Sequence, residues 1–290
     1  MKKVLFLYPA TTPRSSNAFG WFSESFAKYG MEVDIQFWGE DGTIPGIESL
    51  PKPDAVVMRG YNSTLSQWFE NQGVRVVNST ASMELCRDKI ETVRALEEGG
   101  IATPRTLLYS SGYPSWGELG GDFSGEPVVM KLSMGSKGED VFLLECEEDY
   151  IAAKCYCDSS PLLEEGARVM FQEYISTSRG RDLRVWVIGG EVVGHTLRSN
   201  PSSFKSNFAQ GGNALSVELP AAAADLAVRA AEVLGLDFAG VDILFGGRKF
   251  PEFLVCEVNG NAGFRTASLL GEFDIPTALA SFIGKIFKFV

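Results

Sequence analysis

Three oxygen-bearing side chains lie in two neighbouring apolar segments or just after them. Asp242 lies within AGVDILF, Glu257 lies within FLVCEV, and Asn259 follows two residues later. The segments predict adjacent β-strands joined by a short polar turn at 246–249. Because side chains alternate along a strand, Glu257 and Asn259 share a face, and strand pairing would place Asp242 opposite them. Two carboxylates and an amide oxygen are ligands that suit Mg²⁺.

Two other interpretations of these carboxylates remain open. Two ionised carboxylates about 4 Å apart repel by roughly 4 kcal/mol at an effective dielectric of about 20, so a shared proton can take the place of the metal. Alternatively, both acids are strand-end residues that face water. Acids are depleted within apolar strands, which favours the metal site.

A lysine in an apolar strand is the second chemical signal. Lys131 lies near the end of PVVMKL, and a loop with glycine and serine residues follows at 133–138. The loop does not match the G-x-x-x-x-G-K-[ST] phosphate-binding pattern. Its backbone N–H groups, Ser136 and Lys137 can still cover phosphates, although a plain hairpin turn fits the loop equally well. Lys131 favours phosphate binding, because a buried lysine costs free energy unless it meets an anion.

Two further polar segments are candidates for ligand contacts. Residues 198–214 form a long polar stretch without hydrophobic periodicity, and loops of this length are often functional. Arg59 directly follows the apolar segment DAVVM. It lies where parallel strands present their ligand-binding loops, so it can hold a substrate carboxylate or simply be solvated.

The bulk composition limits the function classes. The formal net charge of −11 argues against a general binder of nucleic acid or anionic membranes. One histidine and five dispersed cysteines argue against a Cys/His metal site and indicate reduced thiols in a cytoplasmic protein. No apolar run approaches the ~18 residues of a membrane span. The N-terminal MKKVLFLYP predicts a first β-strand rather than a signal peptide, because its apolar run is short and Pro9 ends it.

The order of elements predicts a mixed α/β protein. Over residues 1 to about 80, short apolar strands alternate with helical segments, which is typical of a small parallel α/β domain. No G-x-G-x-x-G pattern opens a helix there, so a dinucleotide fingerprint is absent. A hairpin is expected around Gly189-Gly190. The predicted helices are 17–28, 64–71, 82–99, 149–163, 221–234 and 276–290.

Taken together, six sequence blocks resemble the ATP-grasp superfamily and, within it, the RimK-type amino-acid ligases. The blocks are CRDKIETVRALEEGGIATPRT, VVMKLSMGSKGEDV, FQEYISTSRGRDLRVWVIGGEVVG, FKSNFAQGGNA, AGVDILF and EVNGNAGF. They occur in the family's order and spacing and cover about 82–289. The resemblance implies an ATP-grasp fold with α+β subdomains. These would be a Rossmann-like N-terminal domain at 1–100, a central lobe at 101–175 and a C-terminal lobe at 176–290, with ATP clamped between the two lobes.

The resemblance also implies a role for each matching residue. The adenine hinge would be Glu173, Tyr174 and Ile175, and Asp182 would lie near the ribose. Arg198 would stand beside an acyl phosphate, and Lys131 would serve both ATP binding and catalysis. The residues that reach or cover the phosphates would be Lys89, Lys131, Ser136, Lys137, Lys205, Ser206 and Asn207. The magnesium (or manganese) ligands would be Asp242, Glu257 and Asn259.

The reaction that the resemblance implies is ligation of a carboxylate to an amine. The γ-phosphoryl group of ATP would move to the carboxylate, an amine would attack the acyl phosphate, and phosphate would leave. The partners would be ATP with an amino acid and a small molecule, peptide or carrier protein, and a homo-oligomer is possible in this branch. Two departures from the family pattern, Lys205 and Gln210 in place of arginines, border the acceptor side. A third is the segment 260–264, which reads GNAGF. The resemblance therefore leaves the added amino acid open, glutamate included.

Two alternative functions remain open at this point. The first is a nucleotide-binding regulatory or scaffold module of the same fold without turnover. A decayed module would be expected to lose a metal or phosphate residue, and none is missing here. The second is a hydrolase in which Asp242 and Glu257 form an acid/base pair, which leaves the lysines unexplained.

Overall fold

A computed structural model describes residues 1–14, 17–109, 112–135, 138–206, 212–248 and 250–288. Its strands form three sheets, one parallel and two antiparallel, with helices packed on them. The predicted mixed α/β class is confirmed. Within the described ranges, no helix is both long enough and apolar enough to cross a bilayer. The predicted domain limits stay a prediction.

The first sheet is the predicted parallel one. Its strands are β1 (Lys2–Pro9), β2 (Met31–Trp38), β3 (Ala55–Met58) and β4 (Arg75–Val77). They are ordered β2-β1-β3-β4. Helix α1 (Asn17–Ala27) connects β1 to β2, and helix α2 (Ser63–Asn71) connects β3 to β4. The central strands β1 and β3 are apolar because elements cover both faces of the sheet.

The helix predicted over 82–99 is broken at Asp88. The structure has α3 (Thr80–Arg87) and α4 (Lys89–Glu98), with Asp88 extended between them. The Asp88 carboxylate accepts a hydrogen bond from the Ile90 N–H at 2.8 Å and so caps the second helix. The break frees the Lys89 N–H to donate to the Ser133 carbonyl at 2.9 Å. Lys89 thereby opens α4 beside the loop that follows Lys131.

The central sheet is antiparallel. Its strands are β5 (Thr106–Leu107), β6 (Val128–Leu132), β7 (Val141–Leu144) and β8 (Val169–Glu173). They are ordered β5-β8-β6-β7. Helix α5 (Trp116–Asp122) precedes β6. The helix predicted over 149–163 is instead two helices, α6 (Glu147–Asp158) and α7 (Pro161–Glu164). A new helix starts there because Ser160 caps it and Pro161 suits its first turn.

The third sheet is also antiparallel and carries the acidic pair. Its strands are β9 (Arg181–Ile188), β10 (Glu191–Ser199), β11 (Asn213–Leu215), β12 (Phe238–Phe245) and β13 (Phe253–Asn259). They are ordered β11-β10-β9-β12-β13. The predicted hairpin at Gly189-Gly190 is confirmed. In the polar segment 198–214, which was predicted to be a loop, Asn213 and Ala214 belong to β11, which pairs with β10.

Three helices accompany this sheet, and the last two join it to the first one. They are α8 (Ala221–Val233), α9 (Arg265–Leu270) and α10 (Ile275–Lys288). Side chains from α1, β1, β9 and α10 form one buried core that includes Phe6, Phe22, Trp186 and Leu279. The N-terminal sheet and the C-terminal sheet therefore share a hydrophobic core.

Gly180 holds the segment after β10 against the start of β9. Its N–H donates to the Phe204 carbonyl at 3.0 Å, and its carbonyl accepts from the Asn200 N–H at 2.6 Å. Its φ is +66°, and a Cβ there would overlap the carbonyl oxygens of Asn200 and Ser203. Only glycine combines this backbone conformation with such a close approach.

Gly180→Ala is expected to destabilise the fold more than Gly190→Ala. Both glycines have positive φ, +66° and +78°, so both substitutions carry a backbone cost of about 1–2 kcal/mol. A Cβ at Gly190 would meet only Glu232 Oε1, at an ordinary contact distance of 3.9 Å, whereas at Gly180 it would overlap two backbone carbonyl oxygens. Urea denaturation is expected to give an additional loss of about 1–3 kcal/mol for Gly180→Ala. Equal losses in the two variants would contradict this account of Gly180.

Candidate functional site

A cleft with about 880 Å³ of empty space lies between the central and C-terminal sheets. This space includes open solvent, so the site is an open cleft rather than an enclosed cavity. The predicted site residues that line it are Lys89, Lys131, Glu173, Tyr174, Ile175, Asp182, Lys205, Ser206, Asp242 and Glu257. Ser136, Lys137 and Asn207 lie outside the described residues. Arg198 and Asn259 are not among the lining residues, but both contact residues of the cleft region, Arg198 through Asp182 and Asp242 and Asn259 through Gly240. Residues separated by up to about half the chain thus meet in one place, while their individual roles stay predictions.

The two carboxylates are paired as the strand pattern predicts. In the β12–β13 ladder, Asp242 lies opposite Glu257 and Gly240 lies opposite Asn259. The register shifts between Asp242 and Ile243, where β13 contains one extra residue, Cys256. A bulge re-aims side chains locally, and both Cys256 and Glu257 line the cleft. The Asn259 amide donates to the Gly240 carbonyl at 3.4 Å, which holds its side chain near the pair.

Asp242 is neutralised by two arginines. Its side chain is almost fully buried, at 3% exposure. The Arg184 guanidinium forms a two-point ion pair with it through Nε to Oδ1 and Nη2 to Oδ2, the latter at 2.8 Å. Arg198 Nη2 lies 2.9 Å from the same Oδ2. Burial alone would raise the pKa of Asp242, but Arg184 and Arg198 hold it below its ordinary value. The negative charge of Asp242 is therefore balanced by arginines, a third possibility beside the metal ion and the shared proton considered from the sequence.

Arg198 also binds a second aspartate. Its Nε donates to Asp182 Oδ1 at 2.7 Å and its Nη2 donates to Asp182 Oδ2 at 2.5 Å. The Ser206 hydroxyl donates to the same carboxylate at 2.5 Å. Burial would lower the pKa of Arg198, but Asp242 and Asp182 outweigh it and raise the pKa. Arg198 is 6% exposed, so its guanidinium lies in the cleft wall between two aspartates.

Arg184 is a site residue that sequence reasoning missed. It lies inside the apolar run LRVWV, the same kind of anomaly that identified Lys131. It is also two residues after Asp182, so the β-strand period puts both side chains on one face. In the structure, Arg184 lies opposite Asp242, and Asp182 lies opposite Arg198. The alternation of side chains along β9 is therefore sufficient to predict that Arg184 lies on the same face as Asp182.

Lys131 is a buried cation with a neutral partner. Its side chain is 7% exposed, and its Nζ donates to Gln172 Oε1 at 2.6 Å. The Cys256 sulfur lies 3.8 Å from the same nitrogen. Among the residues that the structure describes, no carboxylate lies within ion-pair distance of Lys131. A lysine so placed suits an anionic ligand in the cleft, because its charge is otherwise uncompensated.

The other two described lysines of the cleft bind loop carbonyls. Lys89 Nζ donates to the Gly135 carbonyl and lies 3.6 Å from Glu257 Oε1. Lys205 Nζ donates to the Gly138 carbonyl at 2.6 Å. Burial lowers the pKa of Lys205, although Asp140 opposes the shift. Lys205 therefore links the C-terminal lobe to the loop after Lys131 across the cleft.

The family follows from a sequence comparison. The model of the RimK-like ATP-grasp domain matches residues 86–283, which is more than half of the chain. The chain belongs to the RimK-like ATP-grasp family. The resemblance seen in the six sequence blocks is therefore confirmed.

Individual relatives agree with this assignment. N-acetylaspartylglutamate synthase A of Homo sapiens is 30% identical over 243 residues, covering 83% of this chain. The chain spans only about 60% of the length of that relative. A probable alpha-L-glutamate ligase 1 of Shewanella amazonensis is 34% identical over 247 residues, covering 82% of this chain and 78% of the relative. A RimK domain ATP-grasp protein from Sphaerobacter thermophilus has the same fold, with a TM-score of 0.71 at 22% identity, over 97% of this chain and 99% of that one.

Removing one negative charge is expected to affect stability differently at the two carboxylates of this cleft. Asp242→Asn leaves Arg184 and Arg198 buried beside a neutral amide, which we expect to cost about 3–5 kcal/mol. Glu257 is 36% exposed and pairs only loosely with Lys89, so Glu257→Gln is expected to cost less than about 1 kcal/mol. Urea denaturation without metal or nucleotide measures both. A small loss for Asp242→Asn would contradict the importance of the arginine network for stability.

Proposed function

We propose that the chain is an ATP-dependent ligase that joins a carboxylate to an amine through an acyl-phosphate intermediate. The observation that carries this proposal is the composition of the cleft. Three lysines line it together with the paired Asp242 and Glu257, and of these lysines only Lys89 lies within ion-pair distance of a carboxylate, 3.6 Å from Glu257, among the described residues. This charge arrangement suits a polyphosphate with a bound cation. The ligase and synthase names of the relatives support the same reaction class.

The lysines would hold the triphosphate of ATP. Lys131 would contact it from a buried strand position, and Lys89 and Lys205 would contact it from the surrounding segments. The chain from Glu173 to Ile175 follows the end of β8 at the cleft and would bind the adenine edge. Asp182 would contact the ribose with acceptor capacity that Arg198 and Ser206 leave over, since a carboxylate has about four lone-pair sites.

The donor set fits a hard divalent cation. Asp242, Glu257 and Asn259 offer carboxylate and amide oxygens on one face of the β12–β13 pair, which suits Mg²⁺ and is also compatible with Mn²⁺. When bound, such a cation neutralises charge that builds up on the transferring phosphoryl group. Arg184 and Arg198 would keep the Asp242 carboxylate ionised and fixed in position to coordinate the cation. In this role both arginines are positioning residues.

The proposed reaction has two steps. A carboxylate oxygen of the acid substrate attacks the γ-phosphorus, the bond to the β-phosphate oxygen breaks, and ADP leaves. A neutral amine then attacks the acyl carbon, loses a proton, and expels inorganic phosphate. Lys131 would stabilise the phosphoryl group in the first step, and the resemblance to the family assigns Arg198 to the acyl phosphate in the second.

The amine substrate is proposed to be an amino acid, and the acid to be a small molecule, a peptide or a protein terminus. We also propose a cytoplasmic location, because all five cysteines are unpaired and two of them are exposed.

The hydrolase alternative is less favoured. Both oxygens of Asp242 are bound by arginines and its pKa is lowered, so it is poorly suited to hold or accept a catalytic proton.

The proposed function is tested by coupled measurement of ADP release. We expect release in the presence of ATP and Mg²⁺ to rise only when an acid and an amine are supplied together. Hydroxylamine in place of the amine is expected to yield a hydroxamate, because it traps acyl phosphates. Chelation of the metal is expected to stop both reactions, and added Mg²⁺ to restore them. ATP binding without turnover across an amino-acid and peptide panel would favour the scaffold alternative, and hydrolysis of a substrate without ATP would favour the hydrolase.

Lys131→Met is expected to weaken ATP binding by about 10-fold to 100-fold, because it removes a fixed charge while it keeps the buried volume. Lys154→Met is the matched control, since Lys154 lies on α6 and pairs with Asp158 at the surface. Calorimetric titration with ATP and Mg²⁺ measures both affinities. An unchanged ATP dissociation constant in Lys131→Met would remove Lys131 from the phosphate site.

A further inference from the structure

Arg59 occupies a fixed position at the carboxyl end of the N-terminal sheet. It directly follows β3, and its N–H donates to the Leu7 carbonyl at 2.8 Å, which extends the pairing of β3 with β1. The neighbouring side chain on β1 is Tyr8, which is buried. Burial raises the pKa of Tyr8, and the nearby Arg59 charge opposes the rise, although the two groups do not reach hydrogen-bond geometry. The orientation of Arg59 is therefore set by the sheet.

The surroundings of the Arg59 guanidinium are neutral. Its Nη2 donates to the Ala262 carbonyl at 3.0 Å, and its central carbon lies 5.6 Å from the Phe238 ring centre and 5.9 Å from that of Phe264. Within the described part of the chain, no carboxylate lies within ion-pair distance of it. The residue is half-buried rather than fully enclosed. A desolvated guanidinium with five N–H donors and no anion is suited to a carboxylate ligand.

Arg59 contacts the loop that follows the predicted metal ligands. Ala262 is three residues after Asn259, so the two Cα atoms are at most about 11 Å apart. This loop is also held by Asn78, which donates to the Gly260 carbonyl at 2.7 Å, and by Trp186, which donates to the Gly263 carbonyl at 3.0 Å. Asn261, between these anchors, has a buried Oδ1 without a hydrogen-bond partner among the described residues. The Arg59 guanidinium and the unpaired Asn261 Oδ1 thus lie close enough to Asn259 for one small molecule to span them.

We propose that Arg59 binds a carboxylate group of a substrate, one that is not itself activated by ATP, and so contributes to substrate selection. This inference rests on the proposed ligase function and adds the substrate chemistry of its acceptor side. The carboxylate belongs either to the amino acid that supplies the amine or to a second acidic group of the acid substrate. Both sources present the same planar, anionic group, which the guanidinium fork recognises in a two-point contact.

The test compares carboxylates with their amides. Full-length wild type, Arg59→Gln and Arg59→Lys are titrated calorimetrically in the presence of Mg²⁺ and a non-hydrolysable ATP analogue. The probes are L-glutamate against L-isoglutamine, in which only the α-carboxylate is replaced by an amide, and succinate against succinamate. We expect wild type to prefer one carboxylate probe over its amide by about 10-fold to 100-fold. Arg59→Gln is expected to reduce that preference to about 1, with partial recovery in Arg59→Lys.

The control variant is Arg229→Gln, because Arg229 is exposed on α8 and pairs there with Asp225. It is expected to behave as wild type, and affinity for the ATP analogue is expected to be unchanged in all variants. A preference for L-glutamate identifies the amino-acid partner as the source, and a preference for succinate identifies the acid substrate. The inference is overturned if wild type binds no carboxylate probe. It is also overturned if Arg59→Gln keeps the carboxylate preference, or loses affinity equally for acid and amide. Because this experiment measures binding, its result can be interpreted even if the protein shows no ligase turnover.

Discussion

The buried ion network around Asp242 is the interaction on which the rest of the cleft depends. Two aspartates and two arginines from β9, β10 and β12 neutralise each other in the floor of the C-terminal sheet. Desolvating four charges costs several kcal/mol per ion, and only close geometry recovers that cost. The register of β9 against β10 and β12 is therefore constrained, since a slip of one residue would move one partner to the opposite face. The same constraint fixes Asp182, which accepts a hydrogen bond from Ser206, and Asp242, for which we propose nucleotide and metal contacts respectively.

The lysines of the cleft follow a different rule. Lys131 binds a neutral amide oxygen, and Lys89 and Lys205 bind backbone carbonyls. Carbonyl and amide oxygens hold an ammonium group in place without neutralising it. The charges of Lys131 and Lys205 thus stay available for a ligand, and Lys89 lies only 3.6 Å from one carboxylate, that of Glu257, whereas Arg184 and Arg198 form close ion pairs with buried aspartates.

Sequence patterns predicted the parts of the site that depend on the alternation of side chains along a single strand. Alternation in β13 was enough to place Glu257 beside Asn259 and opposite Asp242, and an isolated charge in an apolar strand identified Lys131. Arg184 carries the same signal, a charge inside an apolar strand, although it was not among the predicted site residues. Hydrophobic periodicity could not predict the break at Asp88, because the break depends on a side-chain cap. It could not predict the strand at Asn213–Leu215 either, because that strand depends on pairing with a distant strand. Arg198 was expected at the cleft surface, and its position between two aspartates results from tertiary contacts.

The shared core of the first and last elements has a consequence for synthesis on the ribosome. Helix α10 packs against α1 and completes the core that covers β1, and the Thr277 hydroxyl bonds to Ser25 at 3.0 Å. A nascent N-terminal sheet therefore exposes the apolar face around Phe22 and Phe26 until about 250 further residues have been translated. At roughly 5–20 residues per second, that interval lasts on the order of tens of seconds. During this time the domain that carries Arg59 would depend on chaperones or on its own partial stability to remain free of aggregation.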